Sequence, residues 1–226
     1  AEYVRIPFAD NGLTKIPNNV TDKNALFVGD ILSSGYFGAE MCEIKKGDTI
    51  AVIGCGPVGL CTMICAKIMG AEKIIAIDTN QSRLDIAKSQ NLATEYLNPT
   101  TCDIVSTINI LTNNRGADGV VEAAGGENTF ELAWTIARPN SIVGVVAMYE
   151  NNQTLPLPKM YGKNLTFKTG GVDAIHCKEL IQLISDGKIN TDFLVSETFK
   201  LENILQAYDH FQNRNKNNIL KIAIEK

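Results

Sequence analysis

The feature that most constrains this chain is a regular alternation, between residues 49 and 147, of short apolar runs and helical windows. The apolar runs are rich in Val and Ile and do not alternate polar with apolar residues, which is typical of strands buried on both faces. We therefore predict parallel strands joined by crossover helices, a doubly wound α/β fold. The predicted strands are 49–53, 73–77, 93–97, 119–123 and 141–147, and the predicted helices are 57–69, 81–90, 103–111 and 128–137.

The flanking regions are less regular. Residues 3–6 alternate like a strand, and a helical pattern begins at the potential cap residues Thr21 and Asp22. We expect Gly35 and Gly38 to interrupt that helix. The remaining predictions are an extended loop at 154–158, strands at 165–169, 193–199 and 220–224, and helices at 177–184 and 202–211.

Composition excludes several classes of protein. The 226 residues carry a net charge of -4 with scattered Lys and Arg, which disfavours a nucleic-acid partner. The only long apolar stretch, residues 49–66, contains three glycines and a proline, so we expect no membrane anchor. The first residues lack the profile of a secretory signal, and the six cysteines form no C-x-x-C pair. These features favour a reducing, cytoplasmic setting.

The first predicted strand runs into the sequence G-C-G-P-V-G at residues 54–59, which then opens a helix. In such a motif Gly54 allows the tight turn, Gly56 lets the backbone approach a pyrophosphate, and Gly59 lets the helix pack close to the strand. The N-terminus of the helix would face the phosphates with its N–H groups and the positive end of its dipole. The motif therefore predicts a dinucleotide site.

The second predicted strand ends at Asp78, nineteen residues beyond Gly59. A carboxylate there accepts hydrogen bonds from the ribose hydroxyls and repels a 2′-phosphate, so NAD is favoured over NADP. Methyltransferase-type sites are an alternative, but they usually carry an acid immediately before the glycines, where Ile53 stands. Short-chain reductases need a Tyr and a Lys separated by three residues, and none of the six tyrosines has that spacing.

Four blocks of sequence resemble successive landmarks of the zinc-dependent medium-chain alcohol dehydrogenases: Ala1–Asp10, Gly29–Glu40, Gly54–Leu60 and Asn164–Val172. The resemblance is to the C-terminal, cofactor-binding part, and it is most similar to the subgroup with bacterial secondary alcohol and formaldehyde dehydrogenases. It implies a Rossmann sheet of about six strands, with terminal remnants of a GroES-like catalytic domain. The implied divisions are a catalytic-domain remnant at 1–24, an NAD-binding domain at 25–171, and a segment returning to the catalytic domain at 172–226.

The resemblance implies that Asp30 is a catalytic zinc ligand and that Ser34, one helical turn on, is a catalytic hydroxyl beside the nicotinamide. Asp30 lies in an apolar stretch where a carboxylate needs a partner to offset desolvation. The alternatives are a solvated acid near a helix start and a helix-surface serine. Family members hold the other zinc ligands, a Cys and a His-Glu pair, in an upstream part with no counterpart here.

Neither the histidines nor the helical cysteines are expected to complete a metal site. His176 and His210 are interpreted as surface or packing residues. Cys61 and Cys65 share an apolar helix face and are interpreted as core residues.

The resemblance also implies cofactor contacts along the sheet. Val58 matches the residue behind the nicotinamide ring, and Arg83 matches a cation that reaches the adenosine ribose or phosphate, although a solvated helix arginine is an equal alternative. Later strands end where ligands sit in such sheets. The other matched positions are Pro57, Ala124, Gly125, Val145, Thr169 and Gly170.

The resemblance implies an enzyme that moves a hydride between a small alcohol and NAD, forming an aldehyde or ketone, with zinc as a Lewis acid. This chain by itself is expected to bind NAD better than it catalyses. The alternative is a non-catalytic nucleotide-binding module. The apolar sixth strand would leave an open sheet edge, so we expect a homodimer or homotetramer through it.

Overall fold

A computed structural model describes residues 3–214 and 218–226 of the chain. Its strands are β1 (Thr49–Ile53), β2 (Lys73–Ile77), β3 (Glu95–Leu97), β4 (Ala117–Glu122), β5 (Ala137–Val145), β6 (Thr166–Thr169), β7 (Val195–Lys200) and β8 (Lys221–Glu225). Its helices are α1 (Ala9–Gly12), α2 (Asp22–Ala25), α3 (Ile31–Met41), α4 (Pro57–Met69), α5 (Gln81–Ser89), α6 (Ile104–Leu111), α7 (Thr129–Ile136), α8 (Leu157–Met160), α9 (Cys177–Ser185) and α10 (Ile204–Gln212).

Six strands form one parallel sheet in the order β3-β2-β1-β4-β5-β6. Ile50 of β1 pairs with Ile74 on one side and Gly119 on the other. The strand order reverses between β1 and β4, which makes their carboxyl ends the topological switch point where ligands bind in open α/β sheets. The doubly wound Rossmann prediction is confirmed.

The two faces of the sheet bury separate apolar clusters. Ile50 and Val52 of β1 point into a cluster with α3, α4 and α9, whereas Ala51 and Ile53 point into a cluster with α6 and α7. This alternation follows from the two-residue period of a strand. Both faces of β1 are covered, which explains its unbroken apolar sequence.

Two predictions near the N-terminus are wrong. Residues 3–6 form no strand, and Tyr3 and Val4 are largely exposed, because no neighbouring strand in the described residues pairs with them. Helix α3 runs through Gly35 and Gly38 without interruption. A Cβ on Gly35 would lie 2.5 Å from Cys61 Cβ, so the missing side chain is what lets α3 pack against α4.

Two further differences concern segment bounds. The predicted extended loop at 154–158 contains the start of α8, a single turn that begins at Leu157. Strand β5 begins at Ala137, four residues earlier than predicted, because Ala137 pairs with Ala117 ahead of a register shift.

The terminal segments lie against each other. Thr191, which is fully buried, donates from its backbone N–H and its hydroxyl to Asn24. Strands β7 and β8 form a separate parallel pair. The boundaries 1–24, 25–171 and 172–226 stay a prediction, and residues 1 and 2 lie outside the described part. No helix in that described part has the length and apolarity needed to cross a membrane.

Candidate cofactor site

A cleft of about 730 Å³ opens at the carboxyl ends of β1, β2 and β4. Gly54 and Gly56 form its floor, Asp78 and Arg83 stand on one side, and Ala124 stands on the other. The cleft therefore lies at the switch point of the sheet and holds five of the predicted site residues together.

The glycine turn is built as its sequence predicts. Gly54 has a φ of 99°, a conformation that favours glycine, and its N–H donates to Ile77 O at 2.7 Å. A Cβ on Gly59 would lie 1.8 Å from Gly54 O, so only glycine allows α4 to start this close to β1. A Cβ on Gly56 would meet nothing closer than Arg83 Nη1 at 4.0 Å, so the backbone there is open to a ligand.

Helix α4 begins at this turn, with Gly56 as its N-cap and Pro57 at its first position. Gly56 has no side chain to cap the helix, and the first-turn N–H groups of Val58 and Gly59 have no acceptor within the helix. These donors and the helix dipole make the turn a site for a phosphate or another anion.

Asp78 links the ends of β1 and β2. Its side chain is only 8% exposed, and its two oxygens accept the N–H groups of Cys55 and Asn80, each at 2.7 Å. Each carboxylate oxygen has two lone pairs, so both can accept a further hydrogen bond from a ligand hydroxyl. Arg83 Nη1 lies 3.9 Å from Asp78 Oδ2, which places the cation beside the acid in the cleft.

A second buried acid lies beneath the turn after β4. Glu122 is fully buried, and its Oε1 accepts the N–H groups of Ala124 and Gly125 at 2.9 Å each. Gly125 has a φ of 68°, and a Cβ there would lie 2.7 Å from Met148 O. The turn is thus fixed by one carboxylate from below and by the chain after β5 from the side.

An adjoining cleft of about 660 Å³ lies between this turn and residues 148–154. Tyr149 lines it, and the Tyr149 hydroxyl lies 3.0 Å from Thr129 Oγ1. Burial raises the pKa of Tyr149, and the charge of Glu122 raises it further, so this phenol stays protonated at neutral pH.

A sequence model of the zinc-binding dehydrogenases matches residues 57–186, more than half of the chain. The chain belongs to this family. It corresponds to the C-terminal, cofactor-binding part of the zinc-dependent medium-chain alcohol dehydrogenases, as the sequence predicts. The family implies zinc and a nicotinamide cofactor.

Named relatives agree with this assignment. The whole chain is 38% identical to an alcohol dehydrogenase of Cupriavidus necator, and 95% of it is 32% identical to an NADP-dependent isopropanol dehydrogenase of Entamoeba histolytica. It covers 62% and 60% of those two proteins. The solved structure of alcohol dehydrogenase TADH from Thermus sp. ATN1 matches 98% of this chain with a TM-score of 0.90 and 33% identity, over 64% of its own length. The chain thus spans less than two thirds of the length of each of these relatives.

A nicotinamide dinucleotide fits the residues of the main cleft. The glycine turn and the start of α4 offer backbone N–H donors to phosphates, and Asp78 offers an acceptor to a ribose hydroxyl. Gly59 leaves no room for a Cβ, as the tight junction between β1 and α4 requires. The volume is within the range of small-molecule sites.

The described residues do not form a complete zinc site. No group of three or more His, Cys, Asp or Glu among residues 3–214 and 218–226 is placed to hold a metal. Asp30 is the N-cap residue of α3, and its Oδ1 accepts the hydroxyl of Ser34 at 3.4 Å. The expectation that Asp30 is desolvated is wrong: the residue is exposed, because the apolar residues around it turn toward the core while the helix start faces solvent.

The packing interpretations of Cys and His are confirmed. Cys61 and Cys65 are buried, and burial raises the pKa of the Cys61 thiol to about 12, so it stays neutral. His176 lies between Glu40 and Glu179, 3.2 Å from each, and stacks on Tyr36.

Several predicted positions do not line the main cleft. Val58 packs against the core, and Val145 is buried on β5. Thr169 ends β6 and Gly170 follows it, and both are exposed. Pro57 and Gly59 lie in α4 behind the turn. Their roles toward the cofactor stay predictions.

Sequence reasoning missed part of the cleft wall. It consists of the segments that follow β3 and β4, at residues 99–105 and 126–132, each of which includes a loop and the start of the next helix, α6 or α7. Asp103 belongs to it and caps α6 by accepting Ser106 N–H, which lowers the pKa of that carboxyl. The positions of these segments after parallel strands of one sheet could have indicated this wall, because the carboxyl ends of such strands lie at the same edge.

Proposed function

We propose that this chain binds NAD as the cofactor part of an alcohol dehydrogenase that transfers a hydride between a small alcohol and nicotinamide. The observation that carries the proposal is the single cleft that joins the glycine turn, the start of α4 and Asp78. Backbone donors there suit a pyrophosphate, and the carboxylate suits a ribose diol. The cofactor, when bound, supplies the hydride chemistry.

The preference for NAD over NADP rests on Asp78. The Entamoeba relative is named for its NADP dependence, so membership of the family does not by itself decide between NAD and NADP. In this chain the carboxylate is held in place by two backbone N–H groups and would meet a 2′-phosphate with like charge. Arg83 lies 3.9 Å from Asp78, and this ion pair offsets part of the attraction of Arg83 for a phosphate.

The proposal assigns only part of a zinc site to this chain. We propose Asp30 as one zinc ligand and Ser34 as its neighbouring hydroxyl, to be joined by ligands from beyond the described residues. Asp30 is exposed at the start of α3, which leaves it accessible to such a partner segment. The described residues suit the binding of a cofactor, and none of them form a group of three metal ligands.

The test is a titration of the purified chain with NADH and NADPH, followed by the fluorescence of the nicotinamide. We expect a micromolar Kd for NADH and clearly weaker binding of NADPH. Replacing Gly56 with Val would fill the open backbone face and should abolish both. A chain that binds neither dinucleotide would overturn the proposal. The alternative is a nucleotide-binding module without catalytic activity. An assay of alcohol oxidation by a protein that carries the upstream Cys and His-Glu pair distinguishes this alternative from the proposed function.

A further inference from the structure

Glu122 is a buried charged residue that has so far been given no role in cofactor binding. It ends β4, the first strand on the far side of the switch point from Asp78, and it is fully buried. One of its oxygens, Oε2, accepts no hydrogen bond of normal geometry from the described residues, although the carboxylate interacts with the Tyr149 side chain. Burying a carboxylate is unfavourable unless its hydrogen bonds offset the lost hydration, so a residue of this kind calls for a reason.

The oxygen that is bonded acts on the wall of the cleft. Glu122 Oε1 accepts two consecutive backbone N–H groups, those of Ala124 and Gly125. A trans peptide unit is planar, so the carbonyl of each unit points away from its N–H. The carbonyls of Ala123 and Ala124 are therefore turned away from Glu122, and both of these residues line the cleft.

The position of the Ala123 carbonyl supports this reading. A Cβ on Gly54 would lie 3.0 Å from both the carbonyl carbon and the carbonyl oxygen of Ala123, so this carbonyl group lies directly beside the glycine turn that forms the cleft floor. The turn has no side chain larger than a methyl group at residues 124–126. Hydrogen bonding from residues 124–126 must therefore come from their backbone, whereas Glu127, Asn128 and Thr129, which follow them and also line the cleft, carry polar side chains.

We propose that Glu122 is a positioning residue for the nicotinamide half of the cofactor, because it holds the Ala123 and Ala124 carbonyls toward the cleft as acceptors for ribose hydroxyls. The inference rests on the proposed function. Asp78 and the glycine turn serve the adenosine and pyrophosphate on the β2 side, whereas the turn after β4 lies on the other side of β1. Glu122 therefore acts on one half of the dinucleotide only.

This asymmetry gives a test that a general loss of stability would not mimic. Glu122→Leu removes the acceptor for both N–H groups, and we expect the Kd for NAD to rise about tenfold, whereas the Kd for ADP changes by less than about twofold. Glu122→Gln keeps one amide oxygen for the turn and should restore NAD binding to within about threefold of the unmutated chain. Calorimetric titration with NAD and ADP measures each constant, and circular dichroism checks the fold.

Three results would overturn the proposal: unchanged NAD binding in Glu122→Leu, an equal loss of ADP and NAD, or a glutamine variant as weak as the leucine variant. Should the leucine variant not fold, Glu122→Asp withdraws the carboxylate by one methylene, and the same NAD-to-ADP comparison decides. An unmutated chain that binds neither ligand would instead contradict the proposed function, so the two failures are distinguishable.

Discussion

The backbone N–H of Cys55 donates to Asp78 Oδ2 at 2.7 Å, so the acid at the end of β2 is held by the glycine turn at the end of β1. The proposed ribose acceptor and the proposed phosphate site are thus joined by a direct hydrogen bond. A change at Asp78 should alter cofactor selectivity and the turn together.

Asp78→Ala should narrow the preference for NAD over NADP. The variant loses the ribose acceptor, and it also loses the charge that repels a 2′-phosphate, so we expect NAD affinity to fall about tenfold with little change for NADP. Asp85→Ala is the matched control, since Asp85 is an exposed acid on α5, the helix that follows Asp78. Equal affinities for the two cofactors in the unmutated chain would contradict the assignment.

Gly59→Ala tests the junction of β1 and α4. The added Cβ would lie 1.8 Å from Gly54 O, which is backbone and cannot swing aside, so we expect a loss of about 3 kcal/mol in the free energy of unfolding. Gly12→Ala is the control, because a Cβ there meets nothing within 4 Å. Urea unfolding of both variants gives the measurement, and similar midpoints would show that the helix start is not as tightly seated as described.

The sequence predicted the central βαβ unit to the residue because its signals are local. Strands 49–53 and 73–77 are buried on both faces, and helix 57–69 begins at a proline and ends at Gly70. The error at Gly35 has the opposite origin. Whether a glycine breaks a helix or admits a neighbouring helix depends on what packs against it, and Cys61 is 26 residues away in sequence.

The site residues likewise fall into those that a local motif predicts and those that depend on tertiary structure. Residues 54–59 and Asp78 follow from a short motif with a physical reason for each position. Glu122 was visible only as an acid at the end of a strand, and its two N–H donors could not be read from spacing. Exposure of Asp30 likewise depends on the direction in which a helix start faces.

Tyr36 should make the stability of the folded chain depend on pH in the alkaline range. Burial, followed by the charge of Glu179, raises the pKa of Tyr36 to about 12 from 10.0. The folded state therefore holds the proton more tightly, so this contribution to stability is complete below pH 10 and is lost as the pH rises toward 12. Tyr36→Phe should make the melting temperature less dependent on pH over that range than in the unmutated chain. Tyr161→Phe, at a residue 94% exposed, should not change this pH dependence. Parallel curves for all three proteins would contradict it.

Strand β6 should pair with a second copy of the chain. It ends the sheet, and no strand of the described residues lies on its outer side. An apolar groove of about 550 Å³, lined in part by Leu157, Tyr161 and Phe167, runs beside it. A second chain would satisfy the edge and cover these side chains.

The oligomer is tested by sedimentation velocity of Tyr161→Glu, which places a charge in that groove and should shift a dimer or tetramer toward monomer. Ile110→Glu is the control, since Ile110 is also largely exposed but lies on α6, away from β6. An unmutated chain that stays strictly monomeric at high concentration would refute the pairing.

The last prediction concerns zinc. Tight zinc sites need three or four converging ligands, and Asp30 has only the Ser34 hydroxyl as a side-chain hydrogen-bond partner in the described structure. We therefore expect this chain to hold no stoichiometric zinc and to oxidise alcohols negligibly. In a longer protein that carries the upstream Cys and His-Glu pair, Asp30→Ala should weaken zinc retention more than NAD binding, and Asp22→Ala, at an exposed acid on α2, should affect neither. Elemental analysis after dialysis is the measurement, and about one tightly held zinc per chain of this length would mean that residues assigned to packing, Cys61 and His176 among them, coordinate it.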